Sequence, residues 1–523
     1  MEKKIKSINT KIFLIFLIIF YSTFLFYLAE KTSIEFDETT HSLLAVFYKD
    51  LIKYSISHLN FKEIYDYAYS YLVYYPKLSV YYPPLIHLTI AFVFSFFNPS
   101  FLLARCVIII FSVLFVFLIF KFSKFILKNE NTALLSAILF CSTPMTIYLS
   151  RSVYLDLPLA FFFTLTIFLY LIALERNKKK YYVLAGLTSG VCFLVKWLAL
   201  FIFPIIFLYV YLEKREKMKN IILSFFISGL VIFPYVLLAN KIGVFLLVFT
   251  SERGTLLPAA NVIPQVNSIE GWLVYPNFVN AFYFVFPFSL LVLYSIGSYI
   301  KNEKKYWKLF TIWIVLTYIF LTFIQNKDPR FFFVSIFPLC LIVSKQIIDW
   351  KIEKHLKVLV VGFLLSLNFL SFFNFIYQEK SLYGKPAFSF HSYKTYGKEI
   401  SDFLISNPYP TYFASETSRA LPSETMFCLA SQGKFIKILR PCAGDFDINK
   451  TLYEAGVKWV VYDREDKNNS YILELREKNL VTLERNIDEV EIYRYNFFNP
   501  NLKENCNIVC LIEEKVCEKV KLS

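Results

Sequence analysis

Two adjacent carboxylates, Asp37 and Glu38, follow the first hydrophobic segment of a chain that is apolar along most of its length. Carboxylates are costly inside a bilayer, so those that stand close to membrane spans usually serve a function. Asp37 and Glu38 are predicted to lie at the membrane surface, where a lipid-borne substrate presents its head group. We therefore interpret Asp37 and Glu38 as candidate functional carboxylates. The alternative is that the pair caps a helix that starts near Thr39.

A further acid and four basic residues fall in segments that are predicted to lie on the same outer face: Asp156, Arg105, Arg151, Lys196 and Arg330. Basic residues are disfavoured in short outer loops, so their presence points to a bound anion such as a lipid phosphate. Lys196 and Arg330 are the principal predicted phosphate ligands, and Arg105 and Arg151 are secondary. The alternatives are that the basic residues snorkel or pair with structural carboxylates, and that Asp156 caps a helix that starts at Leu157.

The composition is that of a polytopic membrane protein. The chain has 523 residues, of which 57% are hydrophobic and 18% charged, and its mean hydropathy is +0.51. The first apolar run, 11–29, is too long for a signal-peptide core and lacks a small-residue cleavage site, so we predict a permanent span. The net charge of +15 is divided among short loops without a basic stripe, which argues against nucleic-acid binding.

Lysine and arginine clusters between the apolar segments set the predicted topology. All five clusters lie in the cytoplasm only if the segment 83–97, which opens with Pro83-Pro84, does not cross the membrane. We therefore predict a cytoplasmic N-terminus and a long outer loop, 30–100, with interfacial helices around 43–48 and 65–75. The result is about 11 spans: 11–29, 102–120, 132–149, 157–174, 182–195, 198–212, 221–239, 278–300, 308–324, 331–349 and 358–377.

The composition becomes polar after residue 377, which divides the chain into a transmembrane domain, 1–377, and an extracytoplasmic α/β domain, 378–523. Within the second part we predict strands at 412–414, 435–439 and 457–462 and helices at 394–406 and 471–479. Cys506, Cys510 and Cys517 fit no standard zinc spacing. Nothing in the sequence requires a metal, although a divalent ion is compatible with it.

Glycosyl transfer from a lipid phosphate needs the groups described above. A carboxylate takes the proton of the acceptor hydroxyl, and cations stabilise the charge that grows on the departing phosphate. A single displacement inverts the anomeric centre and requires no nucleotide site. The chain has only 13 glycines and no Gly-rich phosphate loop, which agrees with that chemistry.

Six short motifs follow one another along the chain: Phe36-Asp37-Glu38, Tyr82-Pro83-Pro84-Leu85, Ala104-Arg105, Asp156-Leu157-Pro158-Leu159, Leu194-Val195-Lys196 and Asp328-Pro329-Arg330-Phe331. In this order they resemble the C-type glycosyltransferases of the protein O-mannosyltransferase and aminoarabinose-transferase superfamily, as a prokaryotic member. The resemblance covers residues 10–350 and implies a polyprenyl-phosphate-linked sugar donor and an extracytoplasmic active site. It also implies that Asp37 is the base, with Glu38 in a secondary role, and that Asp156 places the acceptor or the donor.

Departures from the family pattern argue against particular branches of the superfamily. Tyr82 stands where aminoarabinose transferases carry lysine, and the chain lacks the inserted carbohydrate-binding-type domain of eukaryotic protein mannosyltransferases. It also lacks the Trp-Trp-Asp-Tyr-Gly motif of oligosaccharyltransferases. We expect Tyr82 and His41 to line the site, the acceptor to be a protein, a glycolipid or a glycan, and the protein to reside in the cell membrane.

Two other functions are compatible with the composition. A transporter or flippase would carry charged residues in mid-span and inverted repeats with broken helices, whereas the predicted spans are almost free of charge. A receptor or assembly protein would use the outer α/β domain as its working part.

Overall fold

The computed structural model is mainly helical and divides into two compact units. The helical unit comprises Met1–Thr32, Val80–Ile86 and Arg105–His391, and the mixed unit comprises Ser33–Ser79, His87–Ala104 and Ser392–Ser523. The structure describes residues 2–32, 34, 36–74, 82–241, 268–302, 306–324, 327–377, 396–414, 420–434, 436, 438–439, 452–453, 456–463, 470–488 and 490–498.

The helical unit is built from long apolar helices joined by short turns. The first and last described helices of this unit are Glu2–Lys31 and Lys354–Tyr377. Between them lie Phe101–Leu127, Glu130–Ser142, Pro144–Arg151, Asp156–Arg176, Lys179–Phe193, Ile202–Glu213, Met218–Lys241, Ile269–Phe278, Phe288–Asn302, Trp307–Phe323 and Ile336–Asp349. Short 3-10 segments occupy Trp197–Phe201, Arg215–Lys217 and Pro329–Ser335, and a π-helical turn occupies Val279–Tyr283.

Six helices of the described chain are long and apolar enough to cross a membrane, or eight if each of two bent pairs forms one span. The chain is therefore a multi-pass membrane protein. The predicted number of 11 is larger, because the spans expected at 182–195, 198–212 and 308–324 correspond to shorter helices; Lys179–Phe193 has 15 residues and Trp307–Phe323 has 17. Helix Leu85–Phe94 has only ten residues, about 15 Å, half of what a bilayer core requires.

Two glycines allow helices Lys179–Phe193 and Met218–Lys241 to pack closely. A Cβ atom on Gly186 would stand 2.4 Å from the carbonyl oxygen of Ser224, and one on Gly190 would stand 2.5 Å from the Cβ of Val231. Both glycines lie on one helix face, at i and i+4. This small-residue stripe gives close backbone packing of the kind that drives helix association in bilayers.

The mixed unit combines helices of the predicted outer loop with the C-terminal region. Helices Phe36–Ser57 and Phe61–Tyr74, together with His87 to Phe94, contribute the first part, and helix Ala420–Ser431 packs against Phe36–Ser57. The segment from Leu43 to Phe47 is at most 5% exposed. These apolar side chains pack against protein, and the interfacial position of the segment stays a prediction.

The C-terminal region contains a five-stranded sheet in its described part, with strand order β2-β1-β3-β5-β4. The strands are β1 Thr411–Phe413, β2 Ile438–Leu439, β3 Trp459–Asp463, β4 Val481–Ile487 and β5 Val490–Tyr495. β1 pairs in parallel with β2 and β3, whereas β5 pairs antiparallel with β3 and β4. Helices Gly397–Ser406 and Ser470–Glu477 accompany the sheet.

The sequence analysis placed the first three strands and these two helices within a few residues. It missed helix Ala420–Ser431, whose sequence contains Pro422 and Ser423 near its start, and the hairpin of β4 and β5. β4 is largely exposed and polar, so it lacks the apolar alternation by which strands are predicted. The domain boundary near residue 378 stays a prediction, because residues 378–395 lie outside the described residues.

Candidate functional site

Lys196 and Asp156 form an ion pair in the helical unit. The Lys196 Nζ donates to Asp156 Oδ1 at 2.6 Å, and Asp156 is only 2% exposed. Helix Asp156–Arg176 begins at Asp156 itself, and its N-cap is Leu155, so the alternative reading of Asp156 as the cap of a helix starting at Leu157 is wrong. The carboxylate instead lies in the first helical turn, where the helix dipole favours a negative charge. Lys196 is therefore held in place by a buried carboxylate.

Asp328 fixes Arg330 by three hydrogen bonds. Asp328 is the N-cap of the 3-10 segment Pro329–Ser335, and its Oδ1 accepts from the Arg330 backbone N–H at 2.9 Å. The Arg330 Nε and Nη2 donate to Asp328 Oδ2 at 2.9 and 2.6 Å. Charge-assisted bonds of this kind restrict the plane of the guanidinium as well as its position.

Aromatic rings connect the two ion pairs. The Arg330 Cζ lies 4.6 Å from the centre of the Tyr154 ring, and the Lys196 Nζ lies 4.8 Å from the centre of the Phe331 ring. Both distances are within the range of cation–π contacts. Because Arg330 and Phe331 are adjacent in sequence, the two pairs form one connected arrangement.

Arg151 joins the same arrangement through two tyrosines. Its Cζ lies 5.2 Å from the centre of the Tyr148 ring, and the Tyr148 and Tyr154 hydroxyls are 2.5 Å apart. Arg151 and Tyr148 are each 1% exposed. The whole set is called the charged cluster below: Tyr148, Arg151, Tyr154, Asp156, Lys196, Asp328, Arg330 and Phe331.

The sequence analysis had named Arg151, Asp156, Lys196 and Arg330, and the structure brings these four together. It had not given a role to Tyr148 or Tyr154. A signal was present, because the two tyrosines stand three residues before and three residues after Arg151.

The Pro-Pro motif contacts the turn that carries Lys196. The Leu85 backbone N–H donates to the Leu194 carbonyl oxygen at 3.0 Å, which links two of the motifs identified in the sequence. Tyr82, at the start of the Pro-Pro motif, is half-buried. A role for Tyr82 in lining the site stays a prediction.

Arg105 has a capping geometry. Its Nη1 donates to the carbonyl oxygens of Ala29 and Thr32, the latter at 3.0 Å, and the side chain is 2% exposed. These carbonyls lie at the C-terminal end of helix Glu2–Lys31, where backbone acceptors need partners from outside the helix. The observed hydrogen bonds make Arg105 a helix-capping residue, and its predicted role as a phosphate ligand stays untested.

Lys327 also caps a helix. Its Nζ donates to the carbonyl oxygens of Thr322 at 2.6 Å and Ile324 at 3.0 Å, at the end of helix Trp307–Phe323. The residue is 8% exposed, and burial lowers the pKa of its ammonium group below the ordinary value. Lys327 directly precedes Asp328 and thus fixes the start of the segment that carries Arg330.

Asp37 and Glu38 lie in the mixed unit, in the first turn of helix Phe36–Ser57. The helix begins before Asp37, so a start near Thr39 is wrong, although the carboxylates still stand where the helix dipole favours them. Glu38 is fully buried and Asp37 is half-buried. Asp37 is therefore the more accessible of the two acids.

His41 forms a buried histidine pair. Its Nδ1 lies 3.1 Å from the Nε2 of His87, and the two residues are 3% and 0% exposed. One imidazole must donate and the other accept, so the pair fixes both rings. His41 stands four residues after Asp37, on the same face of the helix. The sequence analysis had named His41 and missed His87, which follows the Pro-Pro motif by three residues.

The described residues contain no group of three or more His, Cys, Asp or Glu side chains that could hold a metal ion. Cys442, Cys506, Cys510 and Cys517 lie outside the described residues, as does most of the outer loop at 240–277.

Comparison with known proteins agrees with this architecture. Residues 82–238 match the family model described as dolichyl-phosphate-mannose-protein mannosyltransferase. The crystal structure of ArnT from Cupriavidus metallidurans bound to undecaprenyl phosphate is similar, with a TM-score of 0.63, 11% identity, and coverage of 93% of this chain and 98% of that chain. Its apo state gives a TM-score of 0.61, 11% identity, and coverage of 92% and 97%. No curated protein matches the chain in sequence.

The chain has the C-type glycosyltransferase fold. The resemblance predicted from the six motifs is therefore confirmed, and the family model spans four of them in full, from Tyr82 to Lys196.

Proposed function

We propose that this protein is an inverting glycosyltransferase. It moves a sugar from a polyprenyl (dolichyl-type) phosphate to an acceptor on the extracytoplasmic membrane face. The charged cluster carries the proposal. It holds three cations, Arg151, Lys196 and Arg330, and two carboxylates, Asp156 and Asp328. One net positive charge remains, which favours an anion at the ends of apolar helices. The protein of similar fold from Cupriavidus metallidurans was solved with undecaprenyl phosphate bound, which supports a lipid phosphate as that anion.

The reaction requires two kinds of group. The acceptor hydroxyl attacks the anomeric carbon and gives its proton to Asp37, while the bond between that carbon and the phosphate oxygen breaks and its electrons pass to the phosphate. Lys196 and Arg330 stabilise the growing negative charge. Asp156 and Asp328 keep these cations in fixed positions before the substrate arrives.

The remaining predicted residues have supporting roles in this proposal. Glu38 and Arg151 supply secondary charge, Arg105 holds the end of the first helix, and Tyr82 and His41 line the site. No step of the proposed reaction depends on a metal ion.

We also propose the finer topology, with 11 spans, a cytoplasmic N-terminus and an extracytoplasmic C-terminal region. The count is completed by three shorter helical segments, Lys179–Phe193, Trp197–Glu213 and Trp307–Phe323, each crossing where the bilayer thins around it. The basic clusters then all lie on the cytoplasmic side. Three classes of acceptor are expected from the sequence, so the assay follows the donor.

The test is release of undecaprenyl phosphate from a panel of undecaprenyl-phosphate-linked monosaccharides by membranes that contain the protein. Wild-type protein should release the lipid from one conjugate, and Asp37→Asn should lower turnover by about 10²–10⁴-fold, the usual contribution of a general base. Asp66→Asn is the matched control, because Asp66 is an exposed acid in the same unit. Wild-type turnover in Asp37→Asn would remove Asp37 from the mechanism.

A transporter or flippase of a lipid-linked substrate is the second candidate, and one observation favours it. Two helix pairs are sharply bent, by 66° between Glu130–Ser142 and Pro144–Arg151, and by 119° between Ile269–Tyr283 and Phe288–Lys301. Broken helices are common at transporter binding sites. Movement of an undecaprenyl-phosphate sugar between leaflets without release of the sugar would favour this candidate over glycosyl transfer.

A further inference from the structure

Tyr148 and Tyr154 connect the two arginines of the charged cluster. The ring centres of the two tyrosines are 5.2 Å apart and their hydroxyls are 2.5 Å apart. Arg151 lies over the Tyr148 ring and Arg330 lies over the Tyr154 ring. The order is therefore arginine, tyrosine, tyrosine, arginine. We propose that Tyr148 and Tyr154 are positioning residues that hold Arg151 and Arg330 as one anion-binding unit, an inference that rests on the proposed function.

Arg330 is restrained in two directions. Asp328 accepts from its Nε and Nη2, and its Cζ lies over the Tyr154 ring, 4.6 Å from the ring centre. A guanidinium that contacts a ring and is bonded to a carboxylate has little freedom to rotate. The ring of Tyr154 therefore helps to set the direction in which Arg330 presents its charge.

The tyrosine hydroxyls restrain the rings in turn. Tyr148 and Tyr154 are 1% and 4% exposed, so water cannot replace their mutual hydrogen bond at little cost. Removal of one hydroxyl would leave the other without this partner in a buried place, whereas removal of both would leave two apolar rings in contact. Two phenylalanines should therefore be better tolerated than one.

The tyrosines should affect turnover more than donor binding. The charge on the phosphate grows as the bond to the sugar breaks, so a correctly placed arginine contributes more in the transition state than in the bound donor. Loss of positioning then lowers kcat, while loss of a purely structural contact lowers stability and leaves kcat of the folded protein unchanged.

The experiment measures undecaprenyl phosphate affinity, kcat and thermal stability in detergent for Tyr154→Leu, Tyr154→Phe, Tyr148→Phe and the double phenylalanine variant. Tyr154→Leu should weaken undecaprenyl phosphate binding roughly tenfold, because a desolvated cation–π contact is lost, and should lower kcat more than that. Tyr154→Phe retains the ring and should recover most of the affinity. The double variant should melt above either single phenylalanine variant.

Tyr170→Phe is the matched control. Tyr170 is a fully buried tyrosine of the helical unit whose hydroxyl accepts from Ser189 at 3.2 Å, outside the charged cluster. It should lose stability without loss of affinity or kcat.

The inference and the proposed function fail in different ways. If wild-type protein binds undecaprenyl phosphate and folded Tyr154→Leu has the same affinity and kcat, the tyrosines do not position the arginines and the proposed function is unaffected. If wild-type protein neither binds undecaprenyl phosphate nor releases it from any conjugate, the proposed function is contradicted and this inference is contradicted with it.

Discussion

The charged cluster of the helical unit and helix Phe36–Ser57 of the mixed unit, called the acidic helix below, hold their polar groups by different means. The cluster gathers residues from three separate turns, and ion pairs and aromatic rings fix them. In the acidic helix, Glu38 to Ser42 are consecutive and at most 5% exposed, so burial on all sides fixes them. The first arrangement suits electrostatic binding of an anion, and the second suits a rigid carboxylate beside a buried histidine pair. Perturbation of charge and perturbation of packing should therefore affect the two regions differently.

Loss of packing in the mixed unit should have the largest effect. Phe427 of helix Ala420–Ser431 is 3% exposed and its ring lies 4.1 Å from that of Phe101. Phe427→Ala should destabilise the protein by about 3–5 kcal/mol, because a buried aromatic ring is lost. The melting temperature in detergent checks this value. Phe497→Ala is the control, since Phe497 is 55% exposed. Equal melting temperatures for the two variants would show that the C-terminal region does not support the acidic helix.

Removal of a cation and removal of a carboxylate from the charged cluster should have opposite effects on undecaprenyl phosphate binding. Lys196→Ala removes a cation and leaves Asp156 buried, so it should weaken undecaprenyl phosphate binding and destabilise the fold by about 3–5 kcal/mol. Asp156→Asn should also destabilise the fold, yet strengthen undecaprenyl phosphate binding, since one negative charge is lost. Titration of both variants at two salt concentrations separates these effects. Weaker binding in Asp156→Asn would contradict this expectation and would mean that holding Lys196 in position matters more for binding than the negative charge of Asp156.

The histidine pair should show a smaller effect that depends on hydrogen bonding. His87→Leu leaves His41 without this partner and should cost about 1–3 kcal/mol. His87→Gln can still bond to His41 and should recover part of the stability and turnover. His58→Leu, at an exposed position of the same unit, should change neither. If His87→Leu and His87→Gln have the same stability and turnover, the hydrogen bond to His41 does not position helix Phe36–Ser57.

The smallest effect concerns pH and Lys327. Burial lowers the pKa of Lys327 below its ordinary value of 10.5, so the unfolded chain binds this proton more tightly than the folded protein does. Stability should therefore rise with pH from the lowered pKa up to about 10.5. Lys327→Gln should remove part of that rise, measured as the melting temperature between pH 7 and 10, whereas Lys214→Gln at an exposed position should not. An unchanged slope in Lys327→Gln would contradict this linkage.

The sequence predicted the cluster better than it predicted the helix ends. Arg151, Lys196 and Arg330 were found because topology makes basic residues unusual in outer loops, which is a global signal. Their partners were only partly found: Asp156 was identified, but its pairing with Lys196 depends on how two helices pack. Tyr148, Tyr154 and His87 were missed, because an aromatic or histidine residue in an apolar run looks like core. The enclosure of Leu43 to Phe47 depends on a C-terminal helix that local periodicity does not reveal.

The most direct measurement of the central claim is the melting temperature of the purified protein with undecaprenyl phosphate and its monosaccharide conjugates, for wild type, Lys196→Ala and Arg330→Ala. A ligand that binds only the folded state raises the melting temperature, and the rise grows with the logarithm of its concentration divided by its Kd. We predict a rise for the wild type with undecaprenyl phosphate and a larger rise with one conjugate, both lost in the two variants. A monodisperse wild-type protein whose melting temperature does not change with any of these lipids would contradict a polyprenyl-phosphate donor.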